Sequence, residues 1–341
     1  MQPKTKRRIA NYIGILLSAS FLYFCFRSLD AAALKRAFFL PHPVWLIGVV
    51  ALNFILMGQR ASLWSSLLKP LGSLPFWNLF DVLHIGYMAN NLLPLKVGEF
   101  FRASFIAKKW NLPYARVLTT VGLERFFPGF TLIILLFLTA SELKIPGWIL
   151  TGAYVLGGVL IGVMGMLIFV WLRKPDLSKW ENRHRVLYRV IEFFDHIGEA
   201  SQPLKSPTSF LWMTLLALVG WAMQVVMLRW VEAAFAVEVS WVGSLFVLVA
   251  INFAISLPSA PGNLGTFELA TVLAYTWLGL DKATALGIAF YFHFLQVIPV
   301  TLVGLFYYFR WGLRLKDMER TDDETGDCHP ERSEGSATAQ G

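Results

Sequence analysis

The stretch Asn90-Asn91-Leu92-Leu93-Pro94-Leu95-Lys96-Val97-Gly98-Glu99-Phe100-Phe101-Arg102 interrupts an apolar run and places charges inside it. Proline and glycine end one helix, and a new one is predicted to start at Gly98 with its first backbone N–H groups lacking intrahelical partners. Glu99 and Arg102 lie three apart on one face of that new helix. A second version runs Leu257-Pro258-Ser259-Ala260-Pro261-Gly262-Asn263-Leu264-Gly265-Thr266-Phe267-Glu268, again Leu-Pro, a glycine-bearing turn and a helix start with a carboxylate. A half-helix starting at Gly98 or Gly265 inside a membrane presents N–H groups and the positive end of its dipole, which suits a phosphate. Arg102 adds charge-assisted, bidentate bonds. Glu99 and Glu268 can hold an arginine, grip a cationic headgroup or exchange a proton. The plainer alternative is structural ion pairing, Glu99 with Arg102, or side chains near helix ends that reach water.

The elements that must position these residues are membrane helices. Of 341 residues 56% are hydrophobic and 15% charged, with 28 Phe and 13 Trp, too little charge to cover a soluble globule of this size. The net charge of +8 comes from basic residues flanking apolar spans, not from a patch interleaved with exposed aromatics, so it points to positive-inside anchoring and away from nucleic acid. Cys25 and Cys328 form no framework, and neither a metal site nor a cofactor is expected. No Walker sequence, nucleotide loop or HExxH motif occurs, and no catalytic residue is assigned.

Long apolar runs lie at 9–27, 44–68, 117–140, 147–172, 207–230 and 284–310, with shorter ones at 76–92, 98–112, 240–257 and 265–279. The expected fold is an all-α polytopic membrane bundle of about six long spans plus two short helix pairs around the breaks. Each pair is either two thin spans or one re-entrant hairpin. Residues 1–315 form a single transmembrane domain with an amphipathic connector over 173–206, and 316–341 form a polar tail expected to be disordered. Lys and Arg crowd the N-terminus, 69–116 and 173–189, which places both termini in the cytoplasm; Arg27, Lys35 and Arg36 run against this.

An internal repeat supports that layout. Sliding the chain by 167 positions matches Gly98 with Gly265, Ala103 with Ala270 and Trp110 with Trp277, and Leu93-Pro94 falls near Leu257-Pro258. The repeat units are about 44–140 and 207–310, and the unpartnered 147–172 span between them makes the repeat inverted. Inverted repeats with broken helices are an architecture of secondary transporters, which bind at the repeat interface near the midplane.

The ordered set of Gln59-Arg60, Asn91-Leu92-Leu93-Pro94, Gly98-Glu99, Arg102, Glu124-Arg125, Leu257-Pro258, Pro261-Gly262, Gly265 and Glu268 resembles the transmembrane domain of lysylphosphatidylglycerol synthases, a flippase-like family that also occurs as stand-alone membrane proteins. The likeness covers roughly 10–315. The family's PGG stands here as Pro261-Gly262-Asn263, a usual acidic residue as Pro128, and a usual arginine of the last helix as Phe292-His293. The resemblance implies movement of a lipid or lipid-linked headgroup between leaflets: an anionic or aminoacylated phospholipid, or a polyprenyl-linked lipid. In the two-domain synthases a cytosolic transferase domain makes the lipid; this sequence has a polar tail where that domain would begin. The resemblance adds Arg60, Glu124 and Arg125 to the candidate site, with Glu124-Arg125 as a structural ion pair in the plainer view. Even on translocon scales a charge at a membrane helix centre costs roughly 2.5 to 3.5 kcal/mol, so several together need partners or a water-filled cavity.

His84 and Asp81, three apart, and His293 read as satisfied polar contacts within the bundle, with a relay as the sharper alternative. Gly157, Gly158, Gly162 and Gly165 form a stripe suited to close helix packing. Besides a lipid transporter, two functions remain open from the sequence: a non-catalytic membrane partner of a lipid-modifying or glycosyl transferase, and a membrane enzyme acting on lipid-linked sugars.

Overall fold

The computed structural model describes residues 20–25, 35, 42–93, 96–143, 158, 162, 206–256 and 260–313. The expected 147–172 span, the 173–206 connector, the tail and most of the first apolar run lie outside the described residues. Within them the protein is helical, in two series of the same form. The first comprises α1 (Pro43–Leu68), α2 (Phe76–Leu92), α3 (Val97–Trp110) and α4 (Tyr114–Glu142). The second comprises α5 (Pro207–Ala234), α6 (Trp241–Ala254), α7 (Thr266–Trp277) and α8 (Lys282–Arg310). Each series runs long, short, short, long.

Length explains the division of labour. The outer helices have 26 to 29 residues, and all four are long and apolar enough to cross a membrane. At about 1.5 Å per residue, α3, α6 and α7, with 14, 14 and 12 residues, fall short of a hydrocarbon core of about 30 Å. Exposed apolar residues such as Ile47, Leu211, Leu302 and Phe309 line the outside, while Arg102, Glu124, Glu232, Glu268 and His293 are buried. Apolar outside and polar inside is the arrangement that lipid demands.

The packing repeats as well. Helix α1 packs on α5; α2 on α3 corresponds to α6 on α7, α3 on α4 to α7 on α8, and α2 on α8 to α6 on α4. The likeness is weakest at the last pair, where α2 lies against α8 much more closely than α6 against α4. Gly304 makes that approach possible: a Cβ there would lie 2.4 Å from the His84 carbonyl oxygen. Pro299, five residues earlier in α8, leaves the Leu295 carbonyl without its helical donor. Asn53 of α1 supplies one, its amide reaching the carbonyls of Leu295 at 3.4 Å and Gln296 at 3.1 Å.

Candidate functional site

The first break is built by α2, α3 and α4. Leu93 is extended (φ −110°, ψ 147°), as expected of a residue before proline, and ends α2. Lys96 is left-handed (φ 52°, ψ 38°) and turns the chain into α3. Gly98 then sits against α2, where a Cβ would be 1.9 Å from the Gly86 carbonyl oxygen. Its N–H donates to Asn90 Oδ1 at 2.8 Å. The N–H predicted to be free at Gly98 is thus capped by the preceding helix, because a buried donor without a partner is costly.

From that start α3 carries Arg102 inward. Arg102 Nη1 donates to Glu124 Oε2 of α4 at 2.5 Å, with the two side chains 2% and 3% exposed. The guanidinium also lies over the Trp64 ring of α1, 4.8 Å from its centroid. Its Nε and Nη2 are buried and have no hydrogen-bond partner among the described residues. Glu99, on the outer side, pairs with Arg125, Nη2 to Oε1 at 2.8 Å, where both are partly exposed. Ion pairs therefore run across α3 and α4 as Arg102 with Glu124 and Arg125 with Glu99. They replace the local pairs, Glu99 with Arg102 and Glu124 with Arg125, that the sequence offered. Arg60 donates to the Tyr87 hydroxyl at 2.5 Å, and both Arg60 and Arg125 lie over the Tyr87 ring.

The second break is a 3-10 turn, Pro261–Asn263, followed by α7. Gly262 (φ 65°) and Gly265 (φ 82°) both adopt left-handed backbone, and Gly265 precedes the first helical residue. Glu268 Oε2 accepts the Gly265 N–H at 2.6 Å, so this N–H, also predicted free, is capped by the helix's own carboxylate. Glu268 Oε1 lies 2.6 Å from His293 Nδ1 of α8, and His293 Nε2 lies 2.8 Å from the Gly262 carbonyl oxygen. Phe267 stacks on the imidazole at 4.2 Å between centroids.

The two breaks meet. A Cβ on Gly262 would lie 3.3 Å from the Asn91 carbonyl oxygen at the end of α2. Asn91 in turn donates to Thr301 Oγ1 of α8 at 2.9 Å. Pro94 and Pro258 lie outside the described residues. Among the described residues no hydrogen bond joins the Arg102 group to the Glu268 group, so the candidate residues form two polar centres linked through backbone.

The sequence profile of the lysylphosphatidylglycerol synthase transmembrane region matches residues 11–304. The chain belongs to this family. Similar proteins include two UPF0104 membrane proteins. That of Methanocaldococcus jannaschii is 23% identical over 63% of this chain and 90% of its own. That of Methanothermobacter thermautotrophicus is 20% identical over 83% of this chain and 88% of its own. The glycosyltransferase AglD of Haloferax volcanii is 23% identical over 89% of this chain and 54% of AglD. This member of the lysylphosphatidylglycerol synthase transmembrane region family is a multi-pass membrane protein.

His293, read from the sequence as a satisfied polar contact, is satisfied by Glu268 and the Gly262 carbonyl. One group in this family member exceeds what the sequence singled out. That group is Glu232 of α5, fully buried, which accepts from Tyr275 at 2.6 Å, Ser244 at 2.9 Å and Arg229 at 2.9 Å. It fastens α5, α6 and α7 together, and its signal was a lone carboxylate in an apolar helix. The His84 and Asp81 relay does not form: His84 Nδ1 pairs with the Phe80 carbonyl, and Asp81 accepts from Trp311 at 3.1 Å.

Proposed function

We propose that this protein carries a phosphate-bearing lipid, or a lipid-linked headgroup, between the leaflets of the cell membrane, passing it where the two breaks meet. The observation that carries this reading is Arg102. A guanidinium 2% exposed in a membrane bundle, with one nitrogen on Glu124 and two nitrogens without a hydrogen-bond partner among the described residues, is a preformed partner for an anionic oxygen. Glu124 offsets its charge between binding events, and the Trp64 face supports it from below. The partly exposed Glu99 and Arg125 pair and the Arg60 and Tyr87 pair supply further headgroup contacts. Asn91, Gly98, Pro261, Gly262 and Gly265 shape the crossing, and Pro94 and Pro258 belong to the same proposed site. The halves act as an inverted repeat, with both termini cytoplasmic.

A leaflet-resolved assay of the purified protein in liposomes, across anionic, aminoacylated and polyprenyl-linked lipids, tests this. Protein-dependent movement of at least one class is expected; empty-liposome rates for all of them contradict it. A second reading, a non-catalytic membrane partner of a glycosyl or lipid-modifying transferase, is favoured by the likeness to a protein named as a glycosyltransferase. In that case a transferase requires the chain, yet neutralising Glu99 and Glu268 leaves its support intact.

A further inference from the structure

We infer that Glu268 and His293 form a proton-binding site whose proton exchange is coupled to lipid movement. This rests on the translocation reading and adds its energy source. The inference follows from counting protons. His293 Nε2 faces a carbonyl oxygen, an acceptor only, so Nε2 carries hydrogen. His293 Nδ1 faces Glu268 Oε1 at 2.6 Å, a contact that itself requires one proton between the two atoms. The site therefore holds one proton more than a neutral imidazole beside a carboxylate. Written either as imidazolium with carboxylate or as imidazole with carboxylic acid, the pair is neutral overall, which suits side chains 4% and 0% exposed.

Release of that proton leaves a single imidazole N–H for two acceptors. The carboxylate, now charged, is the stronger acceptor, so the N–H stays on Glu268 and the Gly262 carbonyl is let go. The turn Pro261–Asn263 touches Asn91 at the first break. Deprotonation thus unlatches the contact between the two breaks, and reprotonation restores it. The proton leaves to one aqueous face and returns from the other; no other bond changes.

The acidic and basic groups on the elements packed against α7 and α8 have partners of their own, except that His84 Nε2 has none among the described residues. Among the described residues, Asp81 binds Trp311, His84 the Phe80 carbonyl, Arg60 Tyr87, and Arg229 Glu232 together with Tyr275; α6 carries no charge. Cys25, buried, lies within electrostatic range of Glu268, and Lys282 lies beside Cys25 with its ammonium on the Phe24 carbonyl. In the first half the corresponding helices are joined by Arg102 and Glu124, and an arginine does not give up its proton.

The test uses the full chain in liposomes, with the membrane potential clamped, a pH gradient of about one unit in either direction, and the lipid panel above. One coupled proton biases the transbilayer lipid distribution about tenfold per pH unit. The bias reverses with the gradient and is lost in both His293→Gln and Glu268→Gln. Lipid movement by the wild type that ignores the gradient overturns the coupling while leaving translocation standing. A gradient-driven bias that persists in both variants overturns the assignment to this pair. No protein-dependent movement of any lipid overturns the translocation reading, and the coupling with it.

Discussion

In the first half Arg102 and Glu124 join a short helix to the long helix after it at 2.5 Å; in the second, Glu268 and His293 join the corresponding helices at 2.6 Å. Packing position and burial are alike, but the chemistry is not. Arginine stays charged, so the first pair is a permanent dipole with donors to spare. Histidine and glutamate can share or lose a proton, and every polar atom of that pair already has a partner. In the proposed function this difference divides the roles between two series of the same form: the first half binds an anion, and the second half changes state.

Breaking the first pair is expected to have the largest effect. Arg102→Ala strands Glu124 in the interior, and a broken buried pair costs about 3 to 5 kcal/mol. Replacing both residues, Arg102→Met with Glu124→Leu, should recover most of that stability yet leave lipid movement abolished. Thermal unfolding in detergent alongside the liposome assay checks this, and an Arg102→Ala protein that melts like the wild type removes the pair from the stability argument.

The next effect is steric. Gly98→Ala forces a Cβ into the Gly86 carbonyl, whereas Gly122 in α4 has nothing within 4 Å of a Cβ. Overpacking of that kind costs about 1 to 3 kcal/mol, possible only if α2 and α3 part. Gly122→Ala should change stability by less than about 0.5 kcal/mol. Equal melting temperatures for the two variants contradict the close crossing at the first break.

Glu268→Gln sharpens the comparison with the arginine pair. Glutamine still accepts the Gly265 N–H, and the neutral imidazole is not a stranded charge, so the loss of stability should be about 1 kcal/mol. A loss as large as that of Arg102→Ala would make the second pair another fixed ion pair. Glu99→Gln should show the smallest change. Its partner Arg125 is 43% exposed, and exposed pairs contribute about 1 kcal/mol or less. Its melting temperature should stay near that of the wild type.

The sequence made some of this legible and hid the rest for physical reasons. The four long helices follow from hydropathy alone, and the breaks from Leu-Pro followed by glycine. The pairing was hidden because Glu99 and Arg102, close along α3, face consecutive residues of α4. Arg102 points into the bundle and Glu99 toward its surface, so each meets a different neighbour across the helix gap. Asn90 capping Gly98 eight residues on was equally invisible, since it depends on how α2 and α3 fold together. His293 stood in the sequence as a lone histidine in an apolar helix, and only the contact with Glu268 turns it into chemistry.

The central claim, that the carboxylates at both breaks serve lipid movement and not merely packing, is tested most directly by Glu99→Gln and Glu268→Gln. Each variant is reconstituted, and leaflet-resolved lipid movement and thermal stability are measured on the same samples. Lost or strongly slowed movement at near-normal stability is the predicted result. Wild-type rates in both variants would contradict it.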